Sequence, residues 1–574
     1  MARTDARSSA IMAAGTLVSR VLGFLKAILL TVALGALSTV GDVFETANTL
    51  PNLIYVLVAG GVFNAVLVPQ IIKAAKAQDG GERYISKLVT ITVTAIGLIT
   101  AITLACAIPI INVMGSTWTP EQKELGYIFS FWCLPQIFFY GLYTVIGQVL
   151  NAKEAFGAFM WAPVLNNVVA IAALFIFIFT FGAQDTTINP PRHSVESWTS
   201  MQTIFLAGSA TLGVALQAIV LFIPLRKLGL RLKPDFGWRG IGLREASRLA
   251  IWTLAAGAVS NLSYMYMTRV AASVVSARAQ YADMGIQIPG LQAMNYASML
   301  YSLPHGVIGI SIATVLFNRM SSSAIADDSD SVIHALSHGM RTAGIATVFC
   351  ALALIVLAGP VAVLFSGGDP VAATVIGRLI AITALGTPAL TISFLYGRVL
   401  YARENARTPF LIQFYAAIVM VIMSGVASLL DPRYTVYALS LIFPVQNLFV
   451  VAISHYEIRR RLGYYGQKRI INMYARTTLA ACFAGVIAAA VLWVLGGYNL
   501  DGFAWASKIS AVITLIICGL TMLFSYVVML KIFRVREADA LFAPIAGKVK
   551  ALARRGPQTN LKPARKPLKT PYPA

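Results

Sequence analysis

Long apolar stretches recur along the whole chain, and short polar segments separate them. A helix needs about 20 apolar residues to cross the roughly 30 Å hydrocarbon core of a bilayer, and these stretches are that long. The polar segments between them are too short to fold as a separate water-soluble domain. The pattern predicts an all-α polytopic membrane protein with fourteen spans, at 10–37, 44–72, 86–114, 122–150, 157–183, 200–225, 246–276, 289–317, 335–366, 371–401, 408–430, 434–457, 473–497 and 505–533.

The composition favours a membrane protein over a soluble one. Of the 574 residues, 58% are hydrophobic and only 12% are charged, and the mean hydropathy is +0.74. Soluble domains are usually about one quarter charged. The first apolar stretch follows a short basic N-terminus without a small-residue cleavage site, so we expect a retained helix rather than a signal peptide.

The net charge of +22 comes mainly from cations in alternate loops and in the C-terminal tail. Lysine and arginine cluster in the loops after even-numbered spans, whereas the loops at 38–43 and 367–370 contain none. This asymmetry follows the positive-inside rule and predicts that both termini are cytoplasmic. It also accounts for the positive charge without nucleic acid, which we do not expect as a partner.

The two halves of the chain resemble each other. Three pairs of segments align in order at offsets of 250, 253 and 249, namely Val149–Glu154 with Val399–Glu404, Leu50-Pro51 with Leu303-Pro304, and Ser19–Val21 with Thr268–Val270. A unit of six spans is duplicated, and because six is even, both copies have the same orientation in the membrane. Transporters built in this way place the substrate near the bilayer midplane, between the two lobes.

The repeat predicts a domain plan. It consists of an N-lobe at 1–228, a basic cytoplasmic linker at 229–245, a C-lobe at 246–462, two additional spans within 463–536, and a basic, proline-containing cytoplasmic tail at 537–574. We expect the tail to lie near anionic headgroups, and a specific cytoplasmic partner for it stays open.

Two cations lie inside the first apolar stretch, Arg20 and Lys26. A charge at the bilayer centre costs roughly 2.5–3.5 kcal/mol on insertion scales, so it needs a polar cavity or a partner. Arg269 in span 7 is the repeat mate of Arg20 and adds a third buried cation. We therefore predict a central cavity lined by these three residues, with snorkelling to the membrane surface as the alternative for Lys26.

Polar residues at three- and four-residue steps form one helical face in each of two equivalent spans. In span 2 the face comprises Asp42, Glu45, Asn48, Asn52 and Tyr55, and in span 8 it comprises Asn295, Ser298, Ser302 and His305. Pro51 and Pro304 are predicted to kink these helices. We expect the two faces to line the same cavity, and the alternative is that asparagine and serine join helices by hydrogen bonds.

The predicted cavity suits an anionic ligand. The fork of an arginine side chain matches phosphate oxygens in pairs, and lysine adds a point charge, so phosphate or pyrophosphate is the expected ligand class. The acidic residues would compete for these cations or bind a coupling ion.

The sequence contains no P-loop, HExxH or GxSxG motif, and its five cysteines stand singly without metal-ligand spacing. We therefore expect a transporter rather than an enzyme, with no cofactor and no metal site. Ion gradients, the membrane potential or the gradient of the substrate would then supply the energy.

Several segments resemble the MurJ/MviN lipid II flippase family, part of the multidrug, oligosaccharidyl-lipid and polysaccharide exporter superfamily. They are SRVLGFLK at 19–26, Asp42, LPNL at 50–53, AGGVFNAVLVP at 59–69 and YSLPHGVIGISIATVLF at 301–317. The resemblance implies fourteen helices, with spans 13 and 14 bordering a groove for a lipid tail. It implies a flippase in the bacterial cytoplasmic (inner) membrane that moves lipid II to the outer leaflet by alternating access, for cell-wall synthesis.

The family pattern assigns Arg20 to an essential arginine and Lys26 to a second basic position where arginine is commoner. Asp42 matches an acidic residue before the second helix, and Pro51 and Asn52 match the PN pair of the family.

The chain also departs from the family pattern at cavity positions. Ala27 replaces an acidic residue, and Tyr55 and Met299 replace arginines, while Arg269 one helix earlier would restore one charge. These departures leave other substrates open, including another polyprenyl-pyrophosphate glycan. A drug/cation antiporter and a transport-inactive scaffold for wall-synthesis proteins are further alternatives.

Overall fold

The computed structural model describes residues 2–56, 82–153, 155–185, 191–230, 232–237, 243–309, 312, 328–402 and 407–538. These residues form α-helices with short π-helical and 3-10 segments, and they include no β-strand. The all-α prediction is thereby confirmed. The predicted second halves of spans 2 and 8 (57–72 and most of 310–317), part of the linker, and the tail beyond 538 lie outside the described residues.

The N-terminal half contains ten α-helices within its described residues, and a π-helical segment at Ile204–Gly208 joins the eighth to the ninth. They are α1 (Ala2–Leu34), α2 (Thr39–Tyr55), α3 (Glu82–Ala105), α4 (Ala107–Met114), α5 (Pro120–Cys133), α6 (Gln136–Ala152), α7 (Phe156–Phe181), α8 (Ser200–Thr203), α9 (Ser209–Ile219) and α10 (Phe222–Lys227).

The second half begins with α11 (Leu243–Ser273), which continues through a 3-10 segment (Val274–Ala277) into α12 (Arg278–Asp283). The helix α13 (Leu291–Pro304) continues into a π-helical segment (His305–Gly309). The remaining described helices are α14 (Ser329–Val356), α15 (Ala358–Leu364), α16 (Pro370–Ala384), α17 (Thr387–Ala402), α18 (Arg407–Ala427), α19 (Pro432–Leu462), α20 (Gln467–Val494), α21 (Phe503–Ala506) and α22 (Lys508–Ile532).

Eleven helical segments among the described residues are long and apolar enough to cross a membrane, and each coincides with a predicted span. The other three predicted spans correspond in part to α2, α11 and α13. The prediction of a multi-pass membrane protein is confirmed, and the count of fourteen stays a prediction.

Side-chain caps mark several helix starts that face the same end of the molecule. The hydroxyl of Ser38 accepts a hydrogen bond from the backbone N of Gly41 at 2.8 Å and begins α2. Thr119 and Gln122 form a capping box at the start of α5, and Asp369 caps α16. We call this the upper end, where α1 ends and α2 begins, and the opposite end, which carries Lys153 and Arg461, the lower end.

Helix breaks recur at one offset in the two halves. The α3–α4 break falls at Cys106 and the α14–α15 break at Leu357, and the α5–α6 and α16–α17 breaks are likewise 251 residues apart. Such matched breaks follow from a duplicated unit, because each copy inherits the same interruptions. The boundaries of the predicted domains stay a prediction.

The two halves contact each other at the upper end. Trp118, in the turn before α5, is only 3% exposed, and its ring N–H donates to the carbonyl of Ala272 at 2.8 Å. The adjacent Thr117 hydroxyl donates to the carbonyl of Ser273 at 3.0 Å. The same end buries Ala27 and Ala36 in the hydrophobic core of the second half.

The last two long helices, α20 and α22, pack against each other and against α14. The hydroxyl of Tyr526 on α22 donates to the carbonyl of Ile345 at 2.7 Å. Below it, Arg341 on α14 forms an ion pair with Glu537, and both side chains are largely buried. The additional pair of spans is therefore attached to the second half.

Candidate functional site

The polar faces of α2 and α13 meet directly. The side-chain amide of Asn295 donates to a carboxylate oxygen of Glu45 at 2.7 Å, and the backbone N of Gln292 donates to Oδ1 of Asp42 at 2.8 Å. In both pairs the partners are 250 residues apart, which is also the offset of the repeat. Equivalent residues of the two halves thus contact each other across the interface, as expected at a local twofold axis.

Asp42 is the most enclosed acid of this interface, with 1% of its surface exposed. Its second carboxylate oxygen forms an ion pair with Arg278 of α12. Gly290 lies against the same carboxylate, where no room exists for a side chain. A buried ion pair with an additional backbone hydrogen bond joins the two lobes at the upper end.

Arg278 was absent from the predicted site. It follows predicted span 7, outside the stretch in which a buried charge attracts attention. A signal was nevertheless present, because loops after odd-numbered spans are otherwise poor in cations. A cation in such a loop calls for a structural partner, and Asp42 is that partner.

Lys26 and Glu45 are close enough to interact electrostatically. Glu45 accepts from Asn295, and Asn295 in turn accepts from the Tyr264 hydroxyl at 3.4 Å. Lys26 is half-buried, and its place near Glu45 favours a position at the interface of the two lobes over snorkelling.

Arg20 lies deeper. It is 14 residues before the end of α1 at Leu34, which is about 21 Å along a helix. Its guanidinium lies against Gly306 in the π-helical segment, in the space that a Cβ would fill. Arg20 also lies within electrostatic range of His305, whose Nδ1 is 3.2 Å from the hydroxyl of Thr391. The first cation therefore contacts the opposite lobe, below the Asp42–Arg278 pair.

Arg269 is half-buried between two buried neighbours, Thr268 and Val270. It precedes Arg278 by nine residues, about 13 Å along a helix. It therefore lies below the closed interface, as Arg20 does. A role of Arg269 together with Arg20 and Lys26 stays a prediction.

The remaining polar residues of α2 mostly bind within their own lobe. Asn48 accepts from the side-chain amide of Gln136 at 3.0 Å, and the Tyr55 hydroxyl donates to Thr144 at 2.6 Å. Asn52 is exposed. For Asn48 and Tyr55 the structure therefore favours the alternative of hydrogen bonds that join helices, here α2 to α6.

On α13, Ser298 and Ser302 each donate to a backbone carbonyl three residues earlier, at 3.0 Å in both cases. Their hydroxyls thus satisfy the local helix. Pro304 is the last residue of α13 and precedes the change to π-helical geometry, whereas α2 continues through the buried Pro51 to Tyr55. Gly306 and His305 lie in the π-helical segment that follows Pro304, beside Arg20.

Within the described residues, no group of three His, Cys, Asp or Glu side chains could hold a metal ion. The site combines four cations, Arg20, Lys26, Arg269 and Arg278, with two acids, Asp42 and Glu45. Its net charge is positive, and the acids lie at the closed upper end. This arrangement can hold an anion below a closed gate.

The chain resembles known proteins in sequence over most of its length. A family model described as lipid II flippase MurJ matches residues 30–510. A probable lipid II flippase MurJ of Rhizobium tropici is 27% identical over 426 residues, which cover 73% of this chain and 74% of the relative. The lipid II flippase MurJ of Burkholderia cenocepacia is 25% identical over 405 residues, covering 69% and 72%.

Solved structures share the fold. A lipid II flippase MurJ in an inward closed conformation matches with a TM-score of 0.66 and 18% identity, covering 91% of this chain and 98% of that one. An inward-facing multidrug resistance transporter of the MATE family and MOP superfamily matches with a TM-score of 0.58 and 15% identity, covering 78% and 96%.

Proposed function

We infer the function of this chain from its family, because the chain belongs to the lipid II flippase MurJ family. It is a multi-pass membrane transporter that flips lipid II, the lipid-linked precursor of peptidoglycan. We propose that it resides in the cytoplasmic (inner) membrane of a bacterium with both termini in the cytoplasm. The upper end of the molecule would then face outward, and transport would run from the inner to the outer leaflet.

One observation carries the proposed site. The Arg20 guanidinium lies at the interface of the two lobes, against Gly306, and below the contacts that close the upper end. An anion held there contacts both lobes at once. The pyrophosphate of lipid II fits this position, because a guanidinium binds phosphate oxygens in pairs. Lys26 and Arg269 would add charge from above and from the second lobe.

The proposed cycle is alternating access. The Asp42–Arg278 pair and the Glu45–Asn295 hydrogen bond hold the upper end closed while the headgroup enters from below. The lobes then rock, these contacts separate, and the headgroup leaves outward. Spans 13 and 14, which include α20 and α22, would guide the polyprenyl tail beside the second lobe.

The test replaces Arg20 with alanine and with lysine. We expect R20A to lose lipid II translocation in vesicles by at least tenfold and to fail to support wall synthesis in cells, because removing a charge-assisted pair of hydrogen bonds costs about 1.5–3 kcal/mol. R20K keeps the charge and should retain part of the activity. Full activity of R20A in a folded, membrane-inserted protein would refute the assigned role.

A matched control uses Arg83, whose side chain is 89% exposed at the lower end. R83A removes the same charge outside the site and should leave translocation unchanged.

The same vesicles, loaded with a polyprenyl-linked sugar that lacks the peptide, measure whether the departures at Tyr55 and Met299 widen substrate choice. Equal transport of both lipids would favour the broader glycan exporter.

The energy source is proposed to be an ion gradient or the membrane potential, without a cofactor. Vesicles with equal lipid II in both leaflets should then show net transport only while a gradient or potential is maintained, and ionophores should abolish it.

Removal of residues 545–574 tests the scaffold alternative, because a flippase should keep most of its activity and a scaffold should lose its function.

A further inference from the structure

A cavity of about 470 Å³ opens at the lower end between α18 and α19. Its polar side comprises Arg407 and Thr408 at the start of α18 and Glu457, Arg460 and Arg461 at the end of α19. It shares no residue with the interface around Arg20 and Asp42. The cavity lies where one membrane-crossing helix begins and the other ends, and we therefore place it at the surface of the bilayer.

The polar side of this cavity is cationic and partly pre-arranged. Arg461 donates to the Thr408 hydroxyl at 2.6 Å, which ties α19 to α18. Glu457 accepts from Arg460 at 3.1 Å and from Arg461 at 3.3 Å. Two guanidinium groups thus share one carboxylate, Arg407 adds a third cation, and the cavity keeps a net positive charge that suits a phosphate anion.

The opposite side of the cavity is apolar and leads into the membrane. Leu411 and Tyr415 line it, and Ile418 and Ile422 continue the same face of α18 one and two turns further. All four are exposed, Ile422 by 60%. A strip of exposed apolar side chains on a membrane-crossing helix contacts acyl chains, so the cavity joins a cationic pocket to a track for a lipid tail.

We propose that this cavity is a binding site for an anionic glycerophospholipid, with the phosphate at Arg407, Arg460 and Arg461 and an acyl chain along the Leu411–Ile422 strip. Topology alone explains arginines in this loop, because the positive-inside rule places them there. It does not require them to line a concavity that continues into an exposed apolar strip. Basic pockets between membrane helices bind anionic headgroups because their cations attract the phosphate charge.

The test measures lipid binding to the purified full-length protein by native mass spectrometry. Dioleoyl phosphatidylglycerol should remain bound in preference to dioleoyl phosphatidylcholine, whose headgroup has no net charge. R460Q and R407Q should each weaken phosphatidylglycerol binding by about fivefold, and the double variant should weaken it further. Both side chains are exposed, so these variants should fold.

Two further variants make the result decisive. R469Q removes an exposed arginine at the same end but outside the cavity and should leave binding unchanged. E457Q removes the acid among the described residues that line the cavity, and it should strengthen binding. A variant that failed to fold would bind less lipid, not more. Equal weakening by R469Q and R460Q, or no weakening by R407Q and R460Q, would overturn the proposal.

Inorganic phosphate distinguishes a lipid from a free anion. If the acyl chain contributes, millimolar phosphate should fail to displace phosphatidylglycerol, and L411S with I418S should weaken lipid binding while all arginines remain. Displacement by millimolar phosphate, with no effect of the apolar substitutions, would identify a site for free phosphate and contradict the lipid proposal.

Discussion

The guanidinium of Arg20 is positioned by a residue of the opposite lobe. Gly306 leaves open the space that the guanidinium occupies, and the change to π-helical geometry after Pro304 brings Gly306 to that depth. A binding residue on α1 therefore depends on the local structure of α13 and of the segment that follows it. Its position would change whenever the lobes move, which suits a site that must release its ligand.

G306A tests this dependence. The added methyl group would collide with Arg20 and push the guanidinium away. We expect lipid II translocation to fall by at least tenfold in the vesicle assay, while thermal stability changes little, since Arg20 is only half-buried and its long side chain can move aside.

G257A is the matched control, because a Cβ on Gly257 of α11 meets no atom within 4 Å. Alanine is favoured over glycine within a helix by about 1 kcal/mol, so G257A should transport normally and be slightly more stable. Normal transport by G306A would show that the position of Arg20 against Gly306 is unimportant.

At the scale of elements, the apolar pattern predicts where helices cross the membrane but not where they are interrupted. The α3–α4 and α14–α15 breaks each precede a proline by three residues, Pro109 and Pro360, within otherwise apolar stretches. The α5–α6 break likewise involves a proline, Pro135, which lacks the N–H that a continuous helix needs. Proline alone does not decide the interruption, since α2 continues through Pro51, so packing against other helices also contributes.

The candidate site was predictable to a similar extent. Arg20 and Lys26 are predicted because charges inside apolar stretches are costly, and Asp42 and Glu45 because polar residues recur at helical steps. Helical periodicity also placed Asn48 and Tyr55 on one face, but periodicity does not specify which neighbour that face meets. Their partners, Gln136 and Thr144, lie on α6. Such pairings depend on how the helices of the lobe are arranged.

The attachment of spans 13 and 14 to the second lobe offers a test at the same scale. E537Q leaves the buried charge of Arg341 without its acid. Removing one partner of a buried pair costs about 3–5 kcal/mol, so thermal unfolding of the purified protein should occur at a clearly lower temperature. Replacing both residues, as R341M with E537L, should restore most of the stability because no charge is left buried.

An exposed pair provides the comparison. Arg192 and Asp185 are 3.9 Å apart and partly exposed, and surface pairs contribute about 0–1 kcal/mol. D185N should therefore shift the unfolding temperature little. If E537Q shifts it no more than D185N does, the Arg341–Glu537 pair does not hold the additional spans in place.

At the scale of the whole molecule, the lobes meet through equivalent residues at the upper end. Asp42 with Gln292 and Glu45 with Asn295 are each 250 positions apart, so the contacts lie near the axis that relates the halves. Contacts near such an axis separate together when the lobes rock. The Thr117–Ser273 and Trp118–Ala272 hydrogen bonds lie at the same end, so the proposed rocking of the lobes would separate them in the same step.

Cross-linking the lobes at this end tests alternating access directly. In a variant without the native cysteines, T117C and S273C should react with a short thiol cross-linker, because the Thr117 hydroxyl lies 3.0 Å from the carbonyl of Ser273. The cross-link should stop lipid II translocation, and a reductively cleavable linker should allow full recovery. N112C with Y127C is the control, since their side chains hydrogen-bond at 2.6 Å within one lobe.

D42N extends the same experiment to the ion pair. Without the carboxylate, Arg278 loses the partner that favours closure, at a cost of up to about 3–5 kcal/mol to the closed state. Cross-linking between positions 117 and 273 should slow in D42N and recover in part when R278Q also removes the buried charge. Undiminished transport by the cross-linked protein would mean that the upper end need not open, and the proposed route for the headgroup would then be wrong.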